Sequence, residues 1–578
     1  MKKSRLIVAL SFMIPLLLCG CNSQSEEKVK VILEEGDYHS TTHTLSLDKG
    51  SDFIFDVTLS IDKVVSGSSY KNYSIIETTD TFFRYDKITF HQVMYSTVIS
   101  LDISSGIKIN YSGNDKTKEE YVSKTHERIN TSNDYNYFKK DGYAFVGWQN
   151  NEEIISLGSR VTASNDLSLN AYYLKESETS LFAYHELDAS RVEIESYIGN
   201  EKDIVIPSRI NDKNVTSIKA GSFNGLDIET LVLPYTLGSV GHGTFTNCHI
   251  GNLVFYDNLV DIDDDSFTNT IVDHVRINAL NNPAYSKTYY ATYTDKVDRL
   301  MSLKEKKKII LYSGSSTRFG FDSRLIDEAF LDYEVVNMGV FAYTQSMPQV
   351  EVISHFVNKD DIVIISPEFD VIDKQINLEK VFDYYFFNLI ETNYDILQYL
   401  DLKTYSHFFN AYKEYQNNRK NISRGSYSDS PSLYDEDMKL VNTPSYNRYG
   451  DYILYRKDNT SMEPFGIKRA FYNKKYFPIG YINAFNQGLE LFKNKEVNVY
   501  YDYSPRMNIS ISEDSTPESI DELGEYLKEN IDLIIISSIS ESLMSPLYFY
   551  ETDNHLSTSG VEIRTRRVIS NLSQIIER

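Results

Sequence analysis

The chain has 578 residues, a formal net charge of −24, 45 Tyr against one Trp, and three cysteines. That length exceeds what one hydrophobic core organises, so several domains are expected. The acidic balance argues against nucleic acid as a partner, which needs a basic face. Cys19, Cys21 and Cys248 cannot build a disulfide framework, and no Cys/His cluster suggests a metal. Cys248 reads as a small buried apolar residue.

Met1-Lys-Lys-Ser-Arg5 is a basic start, and Leu6 to Leu18 is an apolar run too short to span a bilayer comfortably. The run ends Leu18-Cys19-Gly20-Cys21, which resembles the lipobox of bacterial lipoproteins. The resemblance implies a leader over 1–21, lipidation of the Cys21 thiol and anchoring at the extracellular face of a bacterial envelope, the membrane being a partner through that lipid. Asn22 to Lys30 is then a polar tether.

Residues 29–105 alternate apolar and polar positions in short bursts separated by turn residues, the period of an all-β module. Residues 106–174 carry Gly142-Tyr-Ala-Phe-Val-Gly-Trp148 and close on Asp166-Leu-Ser-Leu-Asn-Ala-Tyr-Tyr173. This resembles the β-grasp B repeat of internalins and other bacterial surface proteins, with Tyr173 where that family usually has Trp. Trp148 reads as a core residue.

Within 180–283 there is an internal repeat. Phe223, Phe245 and Phe267 are spaced by 22 residues, as are Ile218, Val240 and Ile262, and Leu231, Leu253 and Val275. A period in the low twenties predicts a solenoid with one strand-bearing coil per repeat. The pattern resembles BspA-type leucine-rich repeats, and such arrays commonly bind a protein or a glycan. With about four coils the array is short and is expected to pack on its neighbours. Residues 285–307 read as a linking helix and a basic junction.

From about 300 to 578 apolar strands beginning near Lys308, Glu334, Asp361, Glu496 and Asp532 alternate with helical patterns. This predicts a three-layer α/β domain on a parallel sheet, flavodoxin-like in class, with its site at the carboxyl ends of the strands. Three loops fall there: Gly314-Ser315-Ser316, Asn337-Met338-Gly339 and Ser366-Pro367-Glu368. A late His555 lies between Glu551, Asp553 and the end of the chain. A serine on a strand-to-helix turn, a distant histidine and a carboxylate are the material of nucleophilic ester chemistry, which needs no metal or organic cofactor.

These blocks resemble the SGNH (GDSL-like) hydrolases. The resemblance places the nucleophile on Ser316, with Ser315 in place of the usual Asp, the general base on His555, and oxyanion donors on the backbone of Ser316 and Gly339. Two departures stand out. The third block lacks the Asn that donates to the oxyanion and has Glu368 nearby instead. Thr552 stands where the orienting Asp is usual, leaving Asp553 or Glu551 for that role. Glu368 and Arg318 are expected as possible substrate contacts, or as each other's partner. His355 and His407 read as structural. Residues 371–495 are an insert, with a polar loop over 417–447, expected to lie over the active end of the sheet. The expected activity is serine esterase or O-acyltransferase chemistry on acyl esters of glycans. The alternative is a surface-binding protein whose α/β domain is catalytically degenerate.

Overall fold

The computed structural model describes residues 28–576 other than 421–445 and the short stretches 35, 37, 41–42, 61, 71–72, 80–82, 123–128, 162–164, 286–287 and 467–468. The expected leader with Cys21, and most of the polar loop 417–447, lie outside the described residues. The chain is multidomain and strand-rich.

The first module is built on the alternation in Ser51–Ser60, which buries Phe53, Phe55, Val57 and Leu59 and pairs antiparallel with Phe83–Val93. The second is a five-stranded sheet with Leu167–Lys175 at its centre, between Ile107–Gly113 and Tyr143–Asn150. Trp148 is fully buried there among Tyr111, Phe138 and Phe145, and its indole N–H donates to the Ser132 carbonyl at 3.0 Å.

The repeat columns become stacked coils. Asp227–Val232, His249–Tyr256 and Ile271–Asn278 run parallel, with Ile228, Ile250 and Val272 in register, and likewise Leu231, Leu253 and Val275. The phenylalanines form a ladder inside: Tyr197, Phe223, Phe245 and Phe267 follow one another at ring separations of 5.8, 5.2 and 5.0 Å. Cys248 is buried beside the ladder, its thiol donating to the Phe223 carbonyl, and burial pushes its pKa up.

An open coil end leaves an aromatic face and a strand edge to solvent, and repeat arrays need caps. Here the cap comes from the distant insert. Phe409, on the helix Phe408–Arg419, stacks on Phe267 at 3.6 Å, and Tyr412 packs on Phe255. Arg419 reaches the buried carboxylates of Asp257 and Glu391 at 3.1 and 2.8 Å. This part of the insert is therefore spent on the solenoid and does not roof the sheet. On the other side of the coils, Ala144 and Val146 pack against Val205, Val232 and Val254. The second module also grips the carboxy-terminal region through Arg160 with Asp295 and Ser156 with Asp395.

The carboxy-terminal sheet is β1 (Lys308–Tyr312), β2 (Glu334–Asn337), β3 (Ile362–Ile365), β4 (Asn498–Tyr501) and β5 (Ile534–Ile535). All pairs are parallel, in the order β2-β1-β3-β4-β5, a doubly wound arrangement. Alternate residues face opposite layers. Ile310, Tyr312, Val336, Val363 and Ile365 pack with Val350 and Leu489 on one side. Ile309, Leu311, Val335, Ile362 and Ile364 pack with Ile326, Val568 and Leu572 on the other. At the foot of β1 a fully buried Lys308–Asp361 pair, 2.6 Å apart, joins it to β3.

The segment read as a linker is part of this domain. In the helix Thr292–Ser302, Tyr293, Val297 and Leu300 belong to the same core as β1. The buried Lys296 donates to the carbonyls of Gly339 and Gly450, at the site end of the sheet. Desolvation holds its ammonium well below the usual lysine range. The domain thus begins at Thr292 and leans on the solenoid. A fragment of residues 300–578 is expected to show no cooperative thermal transition by circular dichroism, whereas residues 106–578 unfold cooperatively. Equal, sharp melts for both would refute this shared core.

Candidate active site

β1 stops at Tyr312, and Gly314 turns the chain into the short helical stretch Ser315–Arg318. A Cβ on Gly314 would lie 2.5 Å from both the Ala342 methyl and Glu368 Oε1, so only glycine lets the three strand-end loops converge. The residue after it, Ser315, is half-buried with its hydroxyl at the surface of the site, while Ser316 is fully buried.

The histidine loop meets this turn from the far end of the chain. His555 Nε2 lies 2.8 Å from Ser315 Oγ, and Nδ1 lies 3.1 Å from Glu551 Oε1. A carboxylate can only accept, so Nδ1 carries the proton and Nε2 is left to accept from the serine hydroxyl. Glu551 reaches the ring from a left-handed backbone conformation at φ 53°, uncommon for a non-glycine residue and typical of functional loops. The imidazole stacks flat on Phe319 at 4.1 Å and 7°, and Tyr452 stacks behind Phe319 at 4.4 Å. Arg318 and Arg456 cover these rings from within the core.

Several expected positions are occupied differently. Ser316 Oγ is buried beneath the turn, on the Glu368 side, and does not meet His555. Asp553 turns away from the ring, accepting from Phe465 N at 2.8 Å and from the Ser510 hydroxyl, with Arg506 3.9 Å off. Both expected oxyanion donors are engaged: Ser316 N–H donates to Glu368 Oε1 at 2.7 Å, and Gly339 N–H to Asn337 Oδ1 at 2.9 Å. Ser315 N–H, the first of the helical turn, has no acceptor among the described residues. Glu368 and Arg318 are 2% and 1% exposed, so neither lines an opening. The Glu368 carboxylate accepts from Ser316 N and from Asn554 Nδ2. His355 and His407 are exposed, His407 preceding the capping helix of the insert.

The serine doublet hid the one-residue offset, because either hydroxyl satisfies the sequence pattern. The tight turn decides: the residue directly after Gly314 faces outward and the next points into the core. Asn554 was missed altogether. Its only signal was adjacency to His555.

One side of the Ser315 turn carries an aromatic shelf. Phe341 contacts Tyr290, Tyr343 and Tyr385 at 5.5, 5.3 and 5.0 Å, and Tyr384 lies 4.1 Å from Tyr385. Tyr343 is exposed, and Phe341, Tyr384 and Tyr385 are half-buried. Gln375 ties this loop to β1, accepting from Ser313 Oγ at 2.6 Å and donating to Ala342 O at 3.0 Å.

Among known proteins, residues 201–313 match the family model for the BspA type leucine rich repeat region, in six copies. The match runs past the last coil strand, Ile271–Asn278, as far as β1. No curated protein matches the chain.

Burial, with Asp370 nearby, pushes the Glu368 carboxyl up to about 7 against the hydrogen bond from Ser316. A folded-state pKa above the ordinary value of 4.5 means that the folded protein holds this proton more tightly, so stability falls as pH rises from there to about 7. Between pH 5 and 8 the thermal stability of wild type should therefore decline relative to Glu368→Gln, by on the order of 3 kcal/mol. Parallel pH–stability curves for the two proteins would show that Glu368 does not titrate there.

Proposed function

We propose that the chain is a surface-anchored serine esterase or O-acyltransferase of SGNH type, held to the membrane by a lipid on Cys21. Its β modules, one of them B-repeat-like, and its BspA-type coils carry the catalytic domain outward. The observation that carries this reading is the Ser315–His555–Glu551 alignment, at 2.8 and 3.1 Å. A base must reach the proton it removes, and a third group must fix its tautomer.

In this reading Ser315 Oγ attacks the acyl carbonyl while its proton passes to His555 Nε2. The tetrahedral intermediate collapses, the ester oxygen leaves with that proton, and an acyl-serine remains. Water, or a second hydroxyl in the transferase case, then gives its proton to His555 and takes the acyl group, and His555 returns that proton to the departing Ser315 Oγ. Ser315 N–H is a donor placed for the oxyanion. The aromatic shelf supports a sugar-borne acyl ester: its rings are mostly tyrosines, apolar on the face and wet at the edge, on an open ledge next to the nucleophile.

A second reading is favoured by the engaged N–H groups of Ser316 and Gly339. In it the α/β domain is inactive, and the repeats, whose type suggests a surface or binding role, engage a protein or glycan.

The test is hydrolysis of p-nitrophenyl acetate and of an O-acetylated oligosaccharide by residues 22–578. Ser315→Ala is expected to lower kcat at least about 10³-fold, while Ser316→Ala, which removes a hydroxyl buried away from His555, keeps activity. Wild-type turnover no faster than Ser315→Ala would favour the binding reading. Loss in Ser316→Ala alone would restore the one-residue offset.

The two acids separate in the same assay. Glu551→Gln should cut kcat by roughly 10²- to 10⁴-fold, and Asp553→Asn should mainly lower the melting temperature by loosening Phe465, Ser510 and Arg506. The reverse pattern would assign the orienting role to Asp553.

A further inference from the structure

Glu368 sits at a junction that the reaction above does not use. Its Oε1 accepts from Ser316 N–H at 2.7 Å and its Oε2 from Asn554 Nδ2 at 2.7 Å. Asn554 Oδ1 accepts from Thr552 Oγ1 at 2.9 Å, and Thr552 Oγ1 accepts from His555 N–H at 3.0 Å. An unbroken relay therefore runs from the residue beside the nucleophile, through a carboxylate 2% exposed, to the backbone of the base. It spans loops that are otherwise far apart in the chain, at residues 316, 368 and 552–555.

We propose that Glu368 is a positioning residue, whose ionised carboxylate clamps the turn of Ser315 to the loop of His555 and so sets their hydrogen-bond register. This rests on the esterase reading. The directions of the bonds give the reason. Ser316 N–H and the Asn554 amide both donate toward Glu368, and an ionised carboxylate accepts both with no proton of its own to place. A proton on Oε2 competes with the Asn554 amide N–H unless that amide flips. After a flip the amide N–H faces Thr552 Oγ1 where the carbonyl had accepted from it, so Thr552 Oγ1 must accept from both Asn554 and His555. The relay changes direction along its length, and the tether of His555 to the nucleophile turn loosens. Small misplacement at reacting groups costs rate far more than it costs binding.

Burial brings this ionisation into the physiological range, and the charges around it are few. Asp370 lies on the same loop, and Arg506 approaches from beyond β4, 3.4 Å from Asp370 and 3.9 Å from Asp553. Arg564, on the helix Thr558–Ile576, donates to Ser316 O at 3.0 Å and to Asp502 at 3.0 Å. His555 and Glu551 complete the set on the histidine loop. Ionisation of Glu368 favours the clamped form as pH rises, so its titration should appear on the acidic limb of the rate profile.

The experiment compares kcat and KM for p-nitrophenyl acetate from pH 5 to 9 in the full chain, as wild type, Glu368→Gln, Thr552→Val and Ser315→Ala. Gln at 368 still accepts from Ser316 but presents N–H to Asn554, as the protonated acid does. It should lower kcat at pH 8 by about ten- to a hundredfold with KM within about twofold, and remove the Glu368 ionisation from the acidic limb. Thr552→Val cuts the relay without touching a charge and should give the same fall in kcat. A purely structural role predicts no such limb change, and it does not predict lower turnover in a variant whose stability gains at high pH. Wild-type kcat and limb in Glu368→Gln would overturn the proposal, as would a fall in Glu368→Gln with none in Thr552→Val. If Glu368→Gln does not fold, Thr552→Val decides alone: lost kcat supports the relay, and unchanged kcat overturns it. Wild type no faster than Ser315→Ala defeats the esterase reading, and the positioning role falls with it.

Discussion

The site depends on one close approach, at Gly314. The end of β1, the loop after β2 and the loop after β3 meet so tightly that a methyl group on Gly314 would strike both Ala342 and Glu368. That contact sets which serine faces outward and brings a carboxylate from the third loop under the turn. It also holds the aromatic loop beside Ser315, with Gln375 fastening it. Any side chain at 314 would push the loops apart, and the 2.8 Å contact from Ser315 to His555 would be lost with them.

Around this point the chain is less modular than a row of beads. The insert that leaves β3 passes over the solenoid, where Phe409 closes the aromatic ladder begun at Tyr197. The second β module covers another face of the coils and holds the helix Thr292–Ser302 through Arg160 and Asp295. That helix in turn braces Gly339 through Lys296. A short repeat array has too few coils to hide its own ends, so its neighbours supply the caps. The consequence is mechanical: the α/β domain, the coils and the second module share buried surface.

Electrostatics near the site follow burial more than net charge. The chain is strongly acidic, yet the groups beneath the site are a few desolvated charges held by short bonds: Lys296 on carbonyls, Arg564 on Asp502, and Glu368 on two N–H donors. Each is costly to bury and each crosses between loops. Such groups fix geometry because leaving any of them unpaired costs more than the bond itself contributes.

Whatever repeats or alternates was legible in the amino-acid sequence. The 22-residue columns fixed the coils and even their register, because identical spacing forces identical stacking. Buried apolar runs separated by helical stretches fixed the parallel sheet, and the loop after its first strand carries the serine that meets His555. Tertiary structure decided what no period encodes. Ser315 and Ser316 are equivalent as letters, and only the turn at Gly314 makes one exposed and the other buried. Glu551 and Asp553 flank the same histidine, and only the left-handed backbone at Glu551 and the pull of Ser510 and Arg506 on Asp553 separate them. The capping of the solenoid by Phe409, and the junction of Glu368 with Asn554, join residues more than a hundred positions apart. Such contacts are set by how the packed layers meet, and a local pattern holds no record of that.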